Sequence, residues 1–389
     1  MTGLTGVAIG DCIRPVETWN PSKVAGDEKF SYIDLSAIDQ DRKQIAEART
    51  IACAEAPSRA RQLIEEGDVL ISTVRPNLNG VARVGVEHHG ATASTGFCVL
   101  RPAPGKLDGG YAFQWVKSQA FVNDMVSKAT GASYPAVSDR IVLESKIPLP
   151  PLPEQRRIAA ILDQADALRA KRREALAQLD SLTQSIFIEM FGDPAHNTLN
   201  LPLTSLSDLG PWSSGGTPPR GQEHYFDGDV PWFSSGELES MYVERSAEHI
   251  SELAIHETSA KHVPAGSLML GMYDTAALKA SIAAVDCACN QAIAFSLLDP
   301  SRAEVSYVYF AIVVGREHFR RLQRGVRQKN LNLSMIRDIQ IPAPPIPQQR
   351  AFATRIQAVE TLRATHRAAL AELDALFASL QHRAFAGAL

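Results

Sequence analysis

The sequence predicts an α+β protein built as two copies of one unit, each a globular region followed by a long helix. Three observations carry that prediction. A proline-punctuated motif occurs twice, at 147–158 and 341–352. Behind each copy runs an apolar pattern of helical period, far longer than a globular helix. Ahead of each copy lie short apolar runs that follow a glycine, as strands do.

The repeat orders the rest. IPLPPLPEQRRI recurs as IPAPPIPQQRAF, so that Pro148, Pro150, Pro151, Pro153, Gln155 and Arg156 return as Pro342, Pro344, Pro345, Pro347, Gln349 and Arg350. The spacing of 194 residues holds without a gap through Leu168/Leu362, Leu179/Leu373 and Phe191/Phe385, and reaches back to Gly131/Gly325. The proline run presets an extended approach and excludes a helix within it. The helices are therefore predicted to begin near Glu154 and Gln348.

Both helices carry the same stripe. The first has Ile158, Leu162, Ala165, Leu168, Arg172, Ala175, Leu179, Leu182 and Ile186; the second has Phe352, Ile356, Val359, Leu362, His366, Ala369, Leu373, Leu376 and Leu380. Steps of three and four are the spacing of a coiled-coil seam, interrupted at Arg172 and His366. Each helix is expected to run to about 35 residues, or roughly 50 Å. Two matched seams most simply pack on each other, as an antiparallel coiled coil with pseudo-twofold symmetry. Gly192-Asp193-Pro194 ends the first helix. The expected boundaries are 1–146 and 193–340 for the globular domains, and 147–192 and 341–389 for the proline strands and spacer helices. Within the globular parts, 67–74 and 266–273 read as strands, and 111–129 and 307–324 as helices.

The bulk properties exclude several classes. Of 389 residues, 45% are hydrophobic and 21% charged, which fits folded structure rather than disorder. No apolar run reaches the roughly 18 residues of a membrane span. Met1–Asp11 lacks the pattern of a secretory signal, so the expectation is a cytoplasmic protein with no membrane partner. Five cysteines argue against a disulfide framework. Cys287 and Cys289 lack a second ligand pair at zinc spacing and read as buried thiols on a strand. No phosphate loop, GxSxG or HExxH occurs, nor an Asn or Asp followed by Pro-Pro and an aromatic. Glu144-Ser145-Lys146, with Asp139 or Asp124 upstream, is a chance-level nuclease trace and reads better as the polar edge of a strand. No catalytic centre, metal site or cofactor is expected.

A variable region, then IPLPPLPEQR and a long helix, with the whole repeated, resembles the specificity subunits of type I restriction-modification systems. Gly215-Gly216-Thr217-Pro218-Pro219-Arg220, Tyr225 and Gly228-Asp229-Val230-Pro231-Trp232 look like the opening of that family's target-recognition domains. Tyr32-Ile33-Asp34-Leu35-Ser36 followed by Ile38-Asp39 is similar to another common opening. The second copy departs in carrying Gln348 where the first has Glu154, and the first unit lacks the GGTP element. The resemblance implies a non-catalytic subunit with two target-recognition domains, each reading half of a split site in double-stranded DNA. It implies that the helices hold the domains apart and dock methyltransferase subunits, and through them restriction and translocating subunits. The assembled complex would then methylate adenine or cut DNA with ATP. Gln155, Arg156, Leu168 and Leu179, with Gln349, Arg350, Leu362 and Leu373, are the candidates for spacer and subunit interface.

Local charge indicates where DNA is expected to be read. Net charge is −4, yet 316–337 holds Arg316, Arg320, Arg321, Arg324, Arg327, Lys329 and Arg337 against the single acid Glu317. Such a stretch suits phosphate contact. In the first unit Arg75, Asn77 and Asn79 follow a strand, and Arg and Asn are the side chains that read guanine and adenine. Pro76 and Asn79-Gly80 also mark a turn there. Thr217, Arg220, Tyr273 and Lys279 are the further candidates in the second unit; Trp212 and Trp232 read as packing residues. Two other classes compete: a scaffold whose globular units bind protein, and a self-contained nuclease or methyltransferase. Salt-sensitive DNA binding separates the first, and the occupation of 1–146 by a copy of the unit opposes the second.

If the helices are a ruler, inserting one turn, about four residues, after Ala170 changes the length of the unspecified spacer in the methylated target and leaves both half-sites unchanged. Altered half-site bases in a methylation map would contradict it.

Overall fold

The computed structural model describes residues 6–24, 27–131, 133–323 and 330–389. It divides into two compact units, Met1–Glu174 with His366–Leu389, and Ala175–Thr365. The division passes through both long helices, so each unit contains a segment of each.

The first unit is α+β. One of its sheets orders its strands Arg49–Ala52, Lys29–Ile33, Thr92–Ser94, Ala60–Leu63, and the other Ile13–Arg14, Phe97–Pro102, Val69–Ser72, Val81–Arg83. The first contains a parallel pair, Tyr32 opposite Thr92. A short pair joins Gly6–Ala8 to Lys146–Pro148, the start of the proline run. The segment read as one helix is two, Gly109–Val116 and Gln119–Lys128, because Ser118 caps the second by accepting from the Phe121 N–H.

The second unit repeats this plan with different side chains. One sheet runs Glu248–Ile250, Val230–Phe233, Cys287–Cys289, His262–Val263, with Trp232 parallel to Ala288. The other runs Ser213–Ser214, Ile293–Ser296, Leu268–Gly271, Ala280–Ala283, and gains Tyr242–Val243 at its edge. Leu203–Ser205 pairs with Gln340–Pro342. Cys287–Cys289 is a strand with both thiols buried, as the sequence suggested.

The proline runs are fastened identically in the two units. Tyr111 donates its hydroxyl to the Pro148 carbonyl at 2.7 Å, and Tyr307 to Pro342 at 2.6 Å. The buried Gln155 side chain accepts from the Asp108 N–H at 2.9 Å and donates to the Pro150 carbonyl at 2.8 Å. Gln349 accepts from the Glu304 N–H at 2.9 Å and donates to Pro344 at 2.8 Å. These two glutamines serve the internal frame of their own units, and their burial leaves neither amide facing outward. The helices start at Leu152 and Ile346, two residues before the predicted points, since Pro153 and Pro347 are tolerated in a first turn, where the N–H has no helical partner. Each helix has 40 residues, or about 60 Å.

Within the first unit the two helical segments run antiparallel. Arg157 donates to the terminal Leu389 carbonyl at 2.9 Å, and Arg172 lies 3.0 Å from His366 Nδ1, so rising numbers on one helix meet falling numbers on the other. Ile158, Leu162 and Ala165 share a core with Phe377 and Ala384. Arg169 binds Asp374 and Asp166, and its guanidinium lies 4.3 Å from the Phe377 ring centroid. Within the second unit Phe187 and Phe191 pack on Phe352, while buried Arg363 binds Asp180 and Glu360.

The predicted seam is corrected at four places. Leu168, Leu182, Leu362 and Leu376 are 47, 45, 47 and 51% exposed. The inward positions belong instead to Arg169, Thr183, Arg363 and Phe377, each one residue later. A step of four after Ala165 keeps the stripe facing its partner and admits a paired arginine, which the choice of the nearest leucine overlooked.

Removing a clamp strands buried polar groups. Gln155→Ala and Gln349→Ala are each expected to lower unfolding stability by about 1–3 kcal/mol, measured by denaturant titration. Losses within error would show that the clamps do not hold the frame.

Candidate nucleic-acid interface

The central strand of one sheet in each unit leads into a loop of the same backbone form. In the first unit Val69–Ser72 is followed by Arg75 at φ 51° and Asn79 at φ 46°. In the second, Leu268–Gly271 is followed by Asp274 at φ 46° and Leu278 at φ 56°. The left-handed residues fall three and seven positions after each strand. None is glycine, so each costs on the order of 1–2 kcal/mol. Strain of this kind persists where surrounding contacts enforce it, and it concentrates at binding sites.

The enforcing contacts also correspond. The Thr73 carbonyl accepts from the Val137 N–H at 2.9 Å, and Arg75 donates its N–H to the Pro135 carbonyl at 2.7 Å. In the second unit Met272 accepts from Leu331 at 2.7 Å, and the Asp274 N–H donates to Asn330 Oδ1 at 3.0 Å. Val137/Leu331 and Ala136/Asn330 are spaced by the repeat. Each loop is thereby laced to the segment just before its unit's last short helix, Asp139–Glu144 or Leu333–Arg337.

The sequence candidates divide on this geometry. Arg75 and Asn77 are exposed. The Arg75 guanidinium lies 4.7 Å from the centroid of the Tyr134 ring. Asn79 is half-buried and turned into the protein: its carbonyl accepts from Lys43 Nζ at 2.7 Å, and its amide reaches toward the Lys117 carbonyl at 3.5 Å. Burial, with Lys117 nearby, lowers the Lys43 ammonium pKa. Tyr273 is exposed. Lys279 is tied to the Gly236 carbonyl at 3.2 Å and to Glu239 at 3.3 Å.

The GGTPPR segment is a close-packed turn. A Cβ on Gly215 would lie 2.1 Å from the Cys289 carbonyl oxygen, and one on Gly216 2.1 Å from that of Ser259. Thr217 donates to Gln291. Arg220 binds Glu248 at 2.8 Å and sits over Phe226 and Trp232, at 4.9 and 5.1 Å. The hydrogen bond from Arg220 holds the Glu248 carboxyl below its ordinary pKa. Arg220 therefore has an internal duty. Trp212 and Trp232 are buried, donating to the Leu206 and Gly216 carbonyls at 2.7 and 3.1 Å.

The basic stretch is similarly mixed. Arg316 donates to the Ala277 and Thr275 carbonyls at 3.0 and 2.8 Å, bracing the strained loop, and Arg337 donates to the Trp212 carbonyl. Arg320 pairs with Glu317 at 3.2 Å, and Arg321 is exposed. Arg324, Arg327 and Lys329 lie outside the described residues. On the helices, Arg156 is exposed 3.9 Å from Asp108, and Arg350 donates to the Pro300 carbonyl at 3.2 Å. Leu179 is buried and Leu373 half-buried. Among the described residues no cluster of His, Cys, Asp or Glu is arranged to hold a metal ion. Burial pushes the Cys287 thiol pKa up to about 12, far from a reactive thiolate. Tyr134 is the residue that sequence reasoning missed. Its signal was an aromatic inside the turn sequence Gly-Ala-Ser-Tyr-Pro.

Gly216→Ala is expected to destabilise the second unit by roughly 1–3 kcal/mol through overpacking, lowering its thermal midpoint; Gly221→Ala, in open space, is the control. Equal midpoints would show that the turn yields without strain.

The model of the type I restriction modification DNA specificity domain matches residues 56–178 and 203–375. The chain is 28% identical over 131 residues to the type I restriction enzyme EcoDI specificity subunit of Escherichia coli, covering 32% of this chain and 28% of that protein. It is 27% identical over 158 residues to the MjaIX specificity subunit of Methanocaldococcus jannaschii, covering 39% of this chain and 36% of that protein. These matches thus span well under two thirds of the relatives' length. A solved structure described as the "structural basis underlying complex assembly and conformational transition of the type I R-M system" aligns over 100% of this chain and 99% of its own, at TM-score 0.62 and 26% identity. With both halves of the repeat matched, the chain belongs to the type I restriction modification DNA specificity domain family.

Proposed function

We propose that this chain is a non-catalytic, sequence-specific DNA-binding specificity subunit. It reads a bipartite duplex target and directs adenine methylation or restriction by partner subunits in the cytoplasm. One observation carries the reading: the same strained loop stands at the same place in two units whose side chains differ. Two frames of one plan with different loop chemistry suit two half-sites of different sequence. Arg75 and Asn77 in the first unit, and Tyr273 with the Arg320–Lys329 stretch in the second, are the groups proposed to meet DNA. Thr217, Arg220, Asn79 and Lys279 would act by shaping loops, since their side chains or backbones are engaged internally.

The partners are proposed from the helices. Leu168 and Leu376 in the first unit, and Leu182 and Leu362 in the second, are equivalent apolar side chains left exposed beside paired charges. Leucines repeated in this way suit methyltransferase subunits, one per unit, with the restriction subunits joining through them. Among the described residues no helix is long and apolar enough to cross a membrane.

The experiment pairs the full chain with its methyltransferase subunits. The chain alone is expected neither to cut nor to methylate; the pair is expected to methylate adenine at a split target. Replacing Arg320, Arg321, Arg324 and Arg327 by alanine is expected to weaken DNA binding and flatten its salt dependence by about one unit of slope per lost phosphate contact. Turnover by the chain alone, or an unchanged slope, would contradict the respective claim.

A further inference from the structure

We propose that Arg75 and Tyr134 form one composite reader, specific for a single guanine in the half-site of the first unit. The inference rests on the specificity-subunit reading and deepens it. Tyr134 is 69% exposed, and its ring lies against the Arg75 guanidinium, 4.7 Å from the centroid. It stands opposite Arg75, and both residues precede a proline, Pro135 and Pro76. Thr130 and Ala136 exchange hydrogen bonds at 3.0 and 2.9 Å, closing the turn that carries Tyr134. The Arg75 N–H is bound to the Pro135 carbonyl, so the loop and the turn are one piece.

Chemistry narrows the ligand. Among the described residues no carboxylate pairs with Arg75, unlike Arg49, Arg101 and Arg220. A guanidinium laid on a ring keeps its plane while its donor edge stays open. That edge matches guanine, whose O6 and N7 both accept in the major groove. A phosphate accepts the same fork, and the two ligands differ in outcome: losing a phosphate contact weakens binding at every sequence, whereas losing a guanine contact relaxes one position. Tyr134 is therefore a positioning residue: it fixes the plane and removes rotamer freedom that binding would otherwise cost. The left-handed backbone at Arg75, held by the bond to the Pro135 carbonyl, sets the direction in which the side chain leaves the loop. The same backbone position in the second unit holds Asp274, an acceptor, so that half-site is read by other chemistry.

The test uses the full chain with its methyltransferase subunits and maps methylated adenines across genomic DNA. Arg75→Lys, Arg75→Ala and Tyr134→Ala are expected to relax one guanine position in one half-site, by roughly tenfold or more in preference. Tyr134→Phe, which keeps the ring, is expected to retain it, and the other half-site stays unchanged in every variant. Relaxation at no position, or uniform loss of methylation with failure to assemble, would overturn the inference; the latter would make Tyr134 a contact for the partner subunit. Absence of sequence-specific methylation with the unaltered chain would overturn the specificity reading and this inference with it.

Discussion

An arginine of one long helix meets a carboxylate of the other, and the meeting occurs twice. Arg169 binds Asp374 in the first unit and Arg363 binds Asp180 in the second. The repeat maps each partner of one pair onto a partner of the other. Parallel helices in register would place Arg169 beside Arg363 and Asp180 beside Asp374, like charge against like. Antiparallel helices pair every one of them. Arg363 is buried, so losing its partners would leave an uncompensated charge, a cost of several kcal/mol. Helix direction is thus specified by charge, while Phe377, Phe187 and Phe352 supply the apolar contact around it. Within each unit the tyrosine and glutamine clamps then fasten the proline run to the globular region.

Much of this was legible because repetition in sequence is repetition in structure. The proline runs, the two helices, the end of the first at Phe191 and the strands at 67–74 and 266–273 could be placed from periodicity and punctuation. The helices start two residues earlier than the sequence predicts because Pro153 and Pro347 look like breakers, whereas a first turn accepts them. The seam departs from the heptad expectation at Leu168 and Leu362, because a heptad pattern prefers the leucine to the neighbouring arginine. Only the carboxylate on the other helix shows that the arginine turns inward.

The binding residues were less legible for a related reason. Arg220 and Lys279 have the composition of contact residues, yet each answers a carboxylate of its own unit. No local pattern distinguishes such an arginine from Arg75, which has an aromatic partner instead. Left-handed backbone at Arg75, Asn79, Asp274 and Leu278 was equally invisible, since none is glycine and Leu278 is among the residue types least suited to it. The frame thus repeats the same clamping and ion-pairing residues in both units, and the loops it carries are written differently. That division separates what must be rigid from what must be specific.

The central claim is that the two units are equivalent frames carrying independent readers. It is tested by replacing residues 6–146 with a second copy of 203–340 and mapping methylation by the resulting chain with its methyltransferase subunits. Equivalent frames predict an inverted repeat of one original half-site, with the other half-site gone. Retention of the original asymmetric target, or an uninterrupted one, would contradict the claim.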